Sequence, residues 1–255
     1  MKPKLEVCGV SYSYHSLEGE TLALSNISFT VDNGEFIAIV GPSGCGKSTL
    51  LSMLCGLIEP DEGEIFIDGT PREQSTGNIG YMLQRDHLFE WRTILGNAEL
   101  GLEIQKKLNE DSRKKLHEML NTYGLGSFKN ARPSELSGGM RQRAALVRTL
   151  ALEPDLLLLD EPFSALDYQT RLAVCDDISS IIKSTMKTAI LITHDLSEAI
   201  SVADRVIVLT NRPGRMKAIV PISFGEEYKR PLERRNTPEF SAYFNQVWKE
   251  LQNHD

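Results

Sequence analysis

The stretch Gly41-Pro42-Ser43-Gly44-Cys45-Gly46-Lys47-Ser48 fits the pattern G-x-x-x-x-G-K-[ST] without a mismatch. Glycines let a backbone wrap closely around phosphate, and successive N–H groups opening a helix supply partial positive charge. In this pattern Lys47 reaches the β- and γ-phosphates of a nucleotide, and the Ser48 hydroxyl ligates Mg²⁺. A flexible glycine turn has similar residues, but it has no need of the apolar strand at 36–40 before it. Nor does it need the helical pattern Leu50, Leu51, Leu54, Leu57 behind it. Cys45 sits at a variable position and reads as a spacer. A loop of this kind alone does not separate kinases, GTPases and ATPases.

Two acids, Asp160 and Glu161, close the apolar run 156–159. Charge is costly inside a sheet, but at the carboxyl end of a strand it stands where ligands bind in open α/β sheets. Asp160 there would hold the Mg²⁺ shell, and Glu161 would polarise a water attacking the γ-phosphate. The bland alternative is a solvated strand end that caps the next helix. His194 follows the run 189–193 and lands on the same edge, where it can donate to the γ-phosphate and orient the water. In Leu136-Ser137-Gly138-Gly139-Met140-Arg141-Gln142-Arg143, Ser137 is a natural N-cap. The glycines leave the helix start bare, so its N–H groups can point at an anion.

These residues need a scaffold. Strands are expected at 5–12, 27–31, 36–40, 64–67 and 80–83, with turns at Asn33-Gly34 and Asp68-Gly69. From about 93 to 152 the chain reads as helix-rich, with Leu116, Met119, Leu120 and Tyr123 on one stripe. The runs 156–159, 189–193 and 205–209 suit a parallel sheet buried on both faces. At the tail, Thr237 can cap a helix with Pro238 in its first turn and Phe240, Phe244, Val247 and Leu251 on one face.

The 255 residues are 41% hydrophobic and 25% charged, as in ordinary globular proteins, and the net charge of -7 argues against a nucleic-acid binder that works by neutralising phosphates. No apolar run approaches the roughly 18 to 20 residues needed to cross a bilayer, and Met1-Lys2-Pro3-Lys4 leads into a strand rather than a signal peptide. Cys8, Cys45, Cys55 and Cys175 have neither zinc-site nor disulfide-framework spacing and read as reduced cytosolic thiols.

The stretch 136–143 resembles the signature sequence of the ABC ATPase family, and the resemblance covers nearly the whole chain in the family's motif order. It implies an α/β fold: a P-loop NTPase (RecA-like) core with an N-terminal antiparallel β subdomain and a helical subdomain. The ABC ATPase domain would span 5–236, its helical subdomain about 86–150, and a C-terminal helix 237–255. In the family, the signature of one protomer covers the γ-phosphate held on the loop of the other, which implies a homodimer around ATP. ATP contacts would then come from Gly41, Ser43, Gly44, Cys45, Gly46, Lys47, Ser48 and Thr49, with Ser137 and Gly139 from the facing copy. Tyr14 resembles the aromatic that stacks on adenine, with Tyr12 as the competing assignment. Gln84 resembles the Gln that touches Mg²⁺ and the attacking water. Ser164-Ala165-Leu166-Asp167 resembles the loop joining the two sites, which implies Asp167 among the nucleotide-binding residues. Catalysis would fall to Glu161, His194, Gln84 and Lys47, and Mg²⁺ to Ser48, Gln84 and Asp160. Met140 departs from the commoner Gln of the signature.

Residues 88–94 and 97–103 are similar to the corresponding segment of nitrate, sulfonate and taurine importers, where the Met140 variant is also common. That likeness implies a peripheral subunit on the cytoplasmic face of the membrane. It would drive a transmembrane permease fed by an extracytoplasmic solute-binding protein, with no nucleic acid involved. Leu88, Phe89 and Trp91 would help form the groove for a permease helix. Lys229, Arg230, Arg234 and Arg235 form a basic cluster open to solvation or to a contact with headgroups or the permease. An ABC ATPase working on DNA or ribosomes would carry coiled-coil insertions or a second cassette. A small-metabolite kinase would not need Ser137-Gly138-Gly139 or His194.

Overall fold

The N-terminal segments pair as an antiparallel sheet. β1 (Leu5–Ser16), β2 (Gly19–Val31), β4 (Glu62–Ile67) and β5 (Thr70–Pro71) lie in the order β2-β1-β4-β5. Asp68-Gly69 closes β4 and β5 with both residues at positive φ (53° and 74°), as a two-residue hairpin turn requires. β1 and β2 run beyond the apolar segments seen in the sequence. Their far ends pair Tyr14 with Thr21 and His15 with Glu20, so backbone pairing rather than burial holds that tip. The computed structural model describes residues 2–17, 19–75, 77–164 and 166–252. Its contacts divide the chain into two units, Met1–Gly77 with Ser179–Asp255, and Asn78–Ile178.

The first unit holds a second sheet, ordered β10-β9-β3-β8. β3 (Phe36–Val40) pairs in parallel with β8 (Thr188–Ile192) and β9 (Arg205–Leu209), and β10 (Met216–Pro221) adds an antiparallel edge. Every residue of β3 and β8 is buried, which is why both read as unbroken apolar runs. β10 has a single buried residue, Val220, and so carries no apolar signature. Behind the glycine loop, α1 (Lys47–Cys55) buries Leu50, Leu51 and Leu54. It stops at Gly56 in a left-handed cap, so Leu57 lies beyond the helix and is 68% exposed rather than extending the stripe.

The second unit pairs β6 (Ile79–Met82) in parallel with β7 (Leu156–Asp160). Its helices are α2 (Ile94–Ile104), α3 (Glu110–Thr122), α4 (Gly138–Leu150) and the first turns of α5 (Tyr168–Ser184). Each of the first three begins at a side-chain cap: Thr93, Asn109 and Ser137 accept from backbone N–H groups of their first turns. Leu116 and Leu120 are buried, with Met119 and Tyr123 half-buried beside them. Leu88 is buried as well, so of the three residues expected to line a groove only Phe89 and Trp91 reach the surface. Their rings lie 4.6 Å apart, and Trp91 is 71% exposed.

In the first unit, α6 (Leu196–Val202), α7 (Pro231–Arg234) and α8 (Pro238–Gln252) complete the chain. Thr237 Oγ1 accepts from Phe240 N at 3.3 Å, as a cap should, and Val247 is buried. The basic cluster divides. Arg234 donates from Nε to Tyr228 O (3.0 Å) and from Nη1 to Ser201 O (3.1 Å), and lies 5.2 Å from the Phe224 ring centre. Arg235 reaches Ser201 Oγ at 3.4 Å. Two of the four cations therefore fasten the tail segment to α6, whereas a solvated patch would leave them in water. All four cysteines are thiols.

Burial, followed by the charge of Arg234, pushes the Lys183 ammonium down to about 8, against a partial counter-effect of Asp204. Between about pH 8 and the ordinary lysine value of about 10.4, the unfolded chain still holds a proton that the folded chain has released. Stability should therefore rise with pH across that window, and below it the buried charge costs stability. Lys183→Met is expected to raise the urea midpoint at neutral pH and to flatten the rise toward about pH 10. Parallel pH profiles in variant and native protein would show that Lys183 is not the group responsible.

Candidate active site

β3 runs directly into the glycine loop, and α1 leaves it. Gly46 caps α1 at φ 98° and ψ 10°, a left-handed conformation that glycine adopts without strain. A Cβ at Gly46 would also lie 2.7 Å from Leu24 Cδ2. Lys47 is buried, and its Nζ donates to Gly41 O (2.8 Å) and Pro42 O (2.9 Å) and lies 3.7 Å from Cys45 Sγ. The loop's own carbonyls thus hold the ammonium within it. From there its charge adds to the field of the loop N–H groups, favouring an anion. Cys45 is buried inside the loop, in keeping with a spacer, while Ser43, Gly44 and Ser48 are exposed.

Tyr14 stands beside this loop. Its hydroxyl and Thr49 Oγ1, one residue past Ser48, are hydrogen-bonded at 2.9 Å. The Tyr14 ring is about half exposed, and Tyr12 packs edge-on against it with centroids 5.0 Å apart. Of the two tyrosines, Tyr14 offers the open aromatic face at the start of α1, with Tyr12 as its support. His194 is placed by strand register. Ile39 lies opposite Ile192 in the parallel pair β3–β8, so the residues after each strand emerge at one edge, Gly41 from β3 and His194 from β8. His194 is exposed there, ahead of Asp195, which caps α6.

The second unit repeats the device. Met82 lies opposite Leu159, so Gln84 emerges beside Asp160 and Glu161. Gln84 Nε2 donates to Glu161 Oε2 at 3.1 Å and approaches Ser164 Oγ at 3.4 Å. Ser164 Oγ in turn donates to Glu161 O at 3.0 Å. Glu161 has φ 43°, a left-handed value unfavourable for a residue with a Cβ and one that recurs at functional sites. Asp160 is buried and receives a long bond, 3.4 Å, from Tyr81 OH. The result is a buried carboxylate next to a second one oriented by an amide, a pairing able to bind a hard cation and to take a proton from water.

α4 carries the signature stretch. Ser137 caps it, with Oγ accepting from Met140 N at 3.3 Å, and is itself exposed. Gly139 is buried. A Cβ built on it would lie 2.7 Å from Thr170 Cγ2 and 3.1 Å from Val174 Cγ2 of α5. Close packing against α5 therefore demands glycine at 139, a reason separate from any ligand. Asp167 is exposed and accepts from Thr170 N at 3.1 Å. The Thr170 donors hold its carboxyl below the usual value, so it also serves as a helix cap. The neighbouring Ala165 lies outside the described residues.

The sequence reading missed the clamp behind Gln84. Arg141 Nε meets Asp86 Oδ2 at 3.1 Å, and Arg148 donates to His87 O and Asp86 O, both at 2.7 Å. α4 thereby fixes the segment that follows Gln84. The two arginines stand seven residues apart, on one helix face, and that spacing was the available signal. The Tyr81 contact with Asp160 had none, because it depends on which strand pairs with which.

A family profile described as ABC transporter matches residues 24–164. The chain is 47% identical over 247 residues to the ABC transporter ATP-binding protein YtlC of Bacillus subtilis, covering 97% of this chain and 95% of that one. It is 38% identical over 234 residues to the aliphatic sulfonates import ATP-binding protein SsuB of Bacillus licheniformis, covering 91% and 88%. With the taurine import ATP-binding protein TauB of Pelagibacter ubique it shares 42% over 200 residues, covering 78% and 76%. Among solved structures it is similar to the ATP-binding cassette MJ0796, described as dimeric in a post-hydrolysis state bound to ADP and Pi. That match has a TM-score of 0.74 and 30% identity, over 87% of this chain and 100% of that one.

The packing at Gly139 is open to a direct check. Gly139→Ala is expected to destabilise the protein by about 1–3 kcal/mol in urea titration, the usual cost of overpacking. Thr170→Ser removes the obstructing methyl and should recover part of that loss. An unaltered midpoint for Gly139→Ala would show that α5 does not constrain this position.

Proposed function

This chain belongs to the ABC transporter family, and from that premise we propose that its ATP hydrolysis drives uptake of a small solute of the nitrate, sulfonate or taurine kind through a separate permease. The likeness to the sulfonate and taurine import ATPases supports that solute class. The exposed Trp91, with the half-buried Phe89 ring beside it, supports a docking surface for the permease. The working form in this reading is a homodimer around ATP, at the cytoplasmic face of the membrane. Among the described residues no helix is long and apolar enough to cross a bilayer, so attachment falls to the permease, with the extracytoplasmic binding protein acting only through it. The ATPase domain spans 5–236, with the helical subdomain at about 86–150 and the C-terminal helix at 237–255, of which 253–255 lie outside the described residues.

The contact between Gln84 and Glu161 carries the mechanistic reading. A strand end that merely capped a helix would need neither that contact nor the left-handed backbone of Glu161. In the proposed cycle the loop at 41–49 and Lys47 take the phosphates while Tyr14 takes the adenine. Glu161 accepts the proton of the attacking water, Gln84 orients that water, and His194 donates to the γ-phosphate. Ser48, Asp160 and Gln84 offer the hard oxygen donors that suit Mg²⁺, which when bound would neutralise charge on the phosphates. Among the described residues no cluster of three or more His, Cys, Asp or Glu could hold a metal by itself. Ser137 and Gly139 of a second copy bring a capped helix start toward the γ-phosphate, adding positive potential and excluding water. Asp167 belongs to the loop that links the two sites.

Glu161→Gln keeps the contact with Gln84 but cannot accept a proton. Its hydrolysis rate is expected to fall by about 10²-fold or more, with a nucleotide-bound dimer accumulating in size-exclusion chromatography. Turnover at the native rate would remove Glu161 from the role of base. Ser137→Arg places bulk and charge at the helix start, and should abolish hydrolysis while leaving ATP affinity of the monomer intact. Full turnover in that variant would remove the two-copy site.

A further inference from the structure

The turn between β9 and β10 carries a positive patch that no role above uses. Arg212, Arg215 and Lys217 line a cleft of about 450 Å³, together with Glu250 and Leu251 of α8 and Pro42 of the glycine loop. The turn is rigidly held. Gly214 N donates to Ala23 O and Ser25 N to Gly214 O, both at 2.9 Å, which ties it to β2. Thr210 N donates to Arg215 O at 3.0 Å, and Thr210 Oγ1 accepts from Arg215 N at 2.9 Å. The backbone bearing both guanidiniums is therefore ordered before any ligand arrives. Both are exposed, and among the described residues neither makes a side-chain hydrogen bond or ion pair.

Guanidinium forks match phosphate oxygens bidentately. The Glu250 carboxylate in the same lining is able to accept from a hydroxyl. We propose that this cleft is a second anion site, built for a phosphate ester that also carries a hydroxyl group, and that its occupancy regulates the nucleotide loop. Arg212 links the two sites: a Cβ built on Gly44 would lie only 3.6 Å from Arg212 Nη2. The guanidinium charge therefore helps to make the loop attractive to triphosphate. An ester that neutralises this charge weakens ATP binding, and by linkage the coupling is mutual.

Full-length protein saturated with ADP and Mg²⁺, so that the loop cannot take the probe, is titrated calorimetrically with glycerol 3-phosphate. In a parallel arm it is sedimented with phosphatidylglycerol vesicles, which separates a soluble ester from a lipid headgroup as the source. Saturable binding is expected in one arm, weakened about tenfold or more by Arg212→Ala with Arg215→Ala, at an unchanged melting temperature. Glu250→Ala should erase the preference for glycerol 3-phosphate over inorganic phosphate. The KM for ATP should rise about fivefold or more when the bound probe is present, in native protein but not in the double variant. Failure of both arms, binding indifferent to the arginines, or a KM that does not move would overturn the proposal.

Discussion

Neighbouring parallel strands end at the same edge of a sheet, so whatever follows one strand stands beside whatever follows the next. Every catalytic assignment proposed for this chain depends on that register. In the first unit Ile39 opposite Ile192 brings out the glycine loop and His194 together. In the second, Met82 opposite Leu159 brings Gln84 to Glu161. Buried strands of this kind have a weakness. With both faces apolar, a one-residue slip does not drive hydrophobic side chains into water, so burial alone does not fix the register. Polar groups at the strand starts supply what burial lacks. Asp204 Oδ2 accepts from Phe36 N at 2.9 Å, Asp204 N donates to Phe36 O at 2.7 Å, and Glu35 pairs with Arg205. Those contacts lock β3 to β9 at the end opposite the chemistry.

Several residues of the candidate site carry structural duties at the same time. Ser137 caps α4, Asp167 helps to cap α5, and Lys47 is held by loop carbonyls. Such double duty holds each of these three groups in place within its own unit before a ligand binds. It also separates two meanings of glycine. Gly46 is needed for its backbone conformation, whereas Gly139 is needed because α5 passes too close for a methyl group. A motif that looks uniform as a string is a set of unrelated physical demands.

Much of this was open to reading from the chain alone, and the gaps have definite causes. β3 and β9 have the extents their apolar runs predict, because each is bounded by turns or charges. Asp68-Gly69 announced its hairpin through turn chemistry. β10 and the tip of β1 and β2 left no signal, since edge strands held by backbone pairing need no apolar pattern. Leu88 lay in an apolar trio whose members differ in burial, a difference fixed only when the chain folds over it. Arg234 and Arg235 read as solvated charge, because the carbonyl and hydroxyl of Ser201 that receive them are remote in sequence. The resemblance to ABC ATPases could name the motifs, but not the Arg141 and Arg148 clamp behind Gln84.

That clamp bears on how a surface signal could reach the chemistry. Asn97 fixes the backbone of Phe89 at both ends, with Oδ1 accepting from Phe89 N at 2.7 Å and Nδ2 donating to Phe89 O at 3.1 Å. The Phe89–Trp91 pair is thus presented on a braced segment, and Asp86 and His87, between it and Gln84, are held by α4. Leu88 next to them is buried, so much of the connection from the aromatic pair to Gln84 is braced. α4 is also the helix that Ser137 caps. The surface aromatics, the Gln84 segment and the signature helix therefore belong to one unit, joined through the Arg141 and Arg148 contacts. Displacement of the aromatics by a docked partner would move all three together, whereas a flexible connection would absorb the displacement locally.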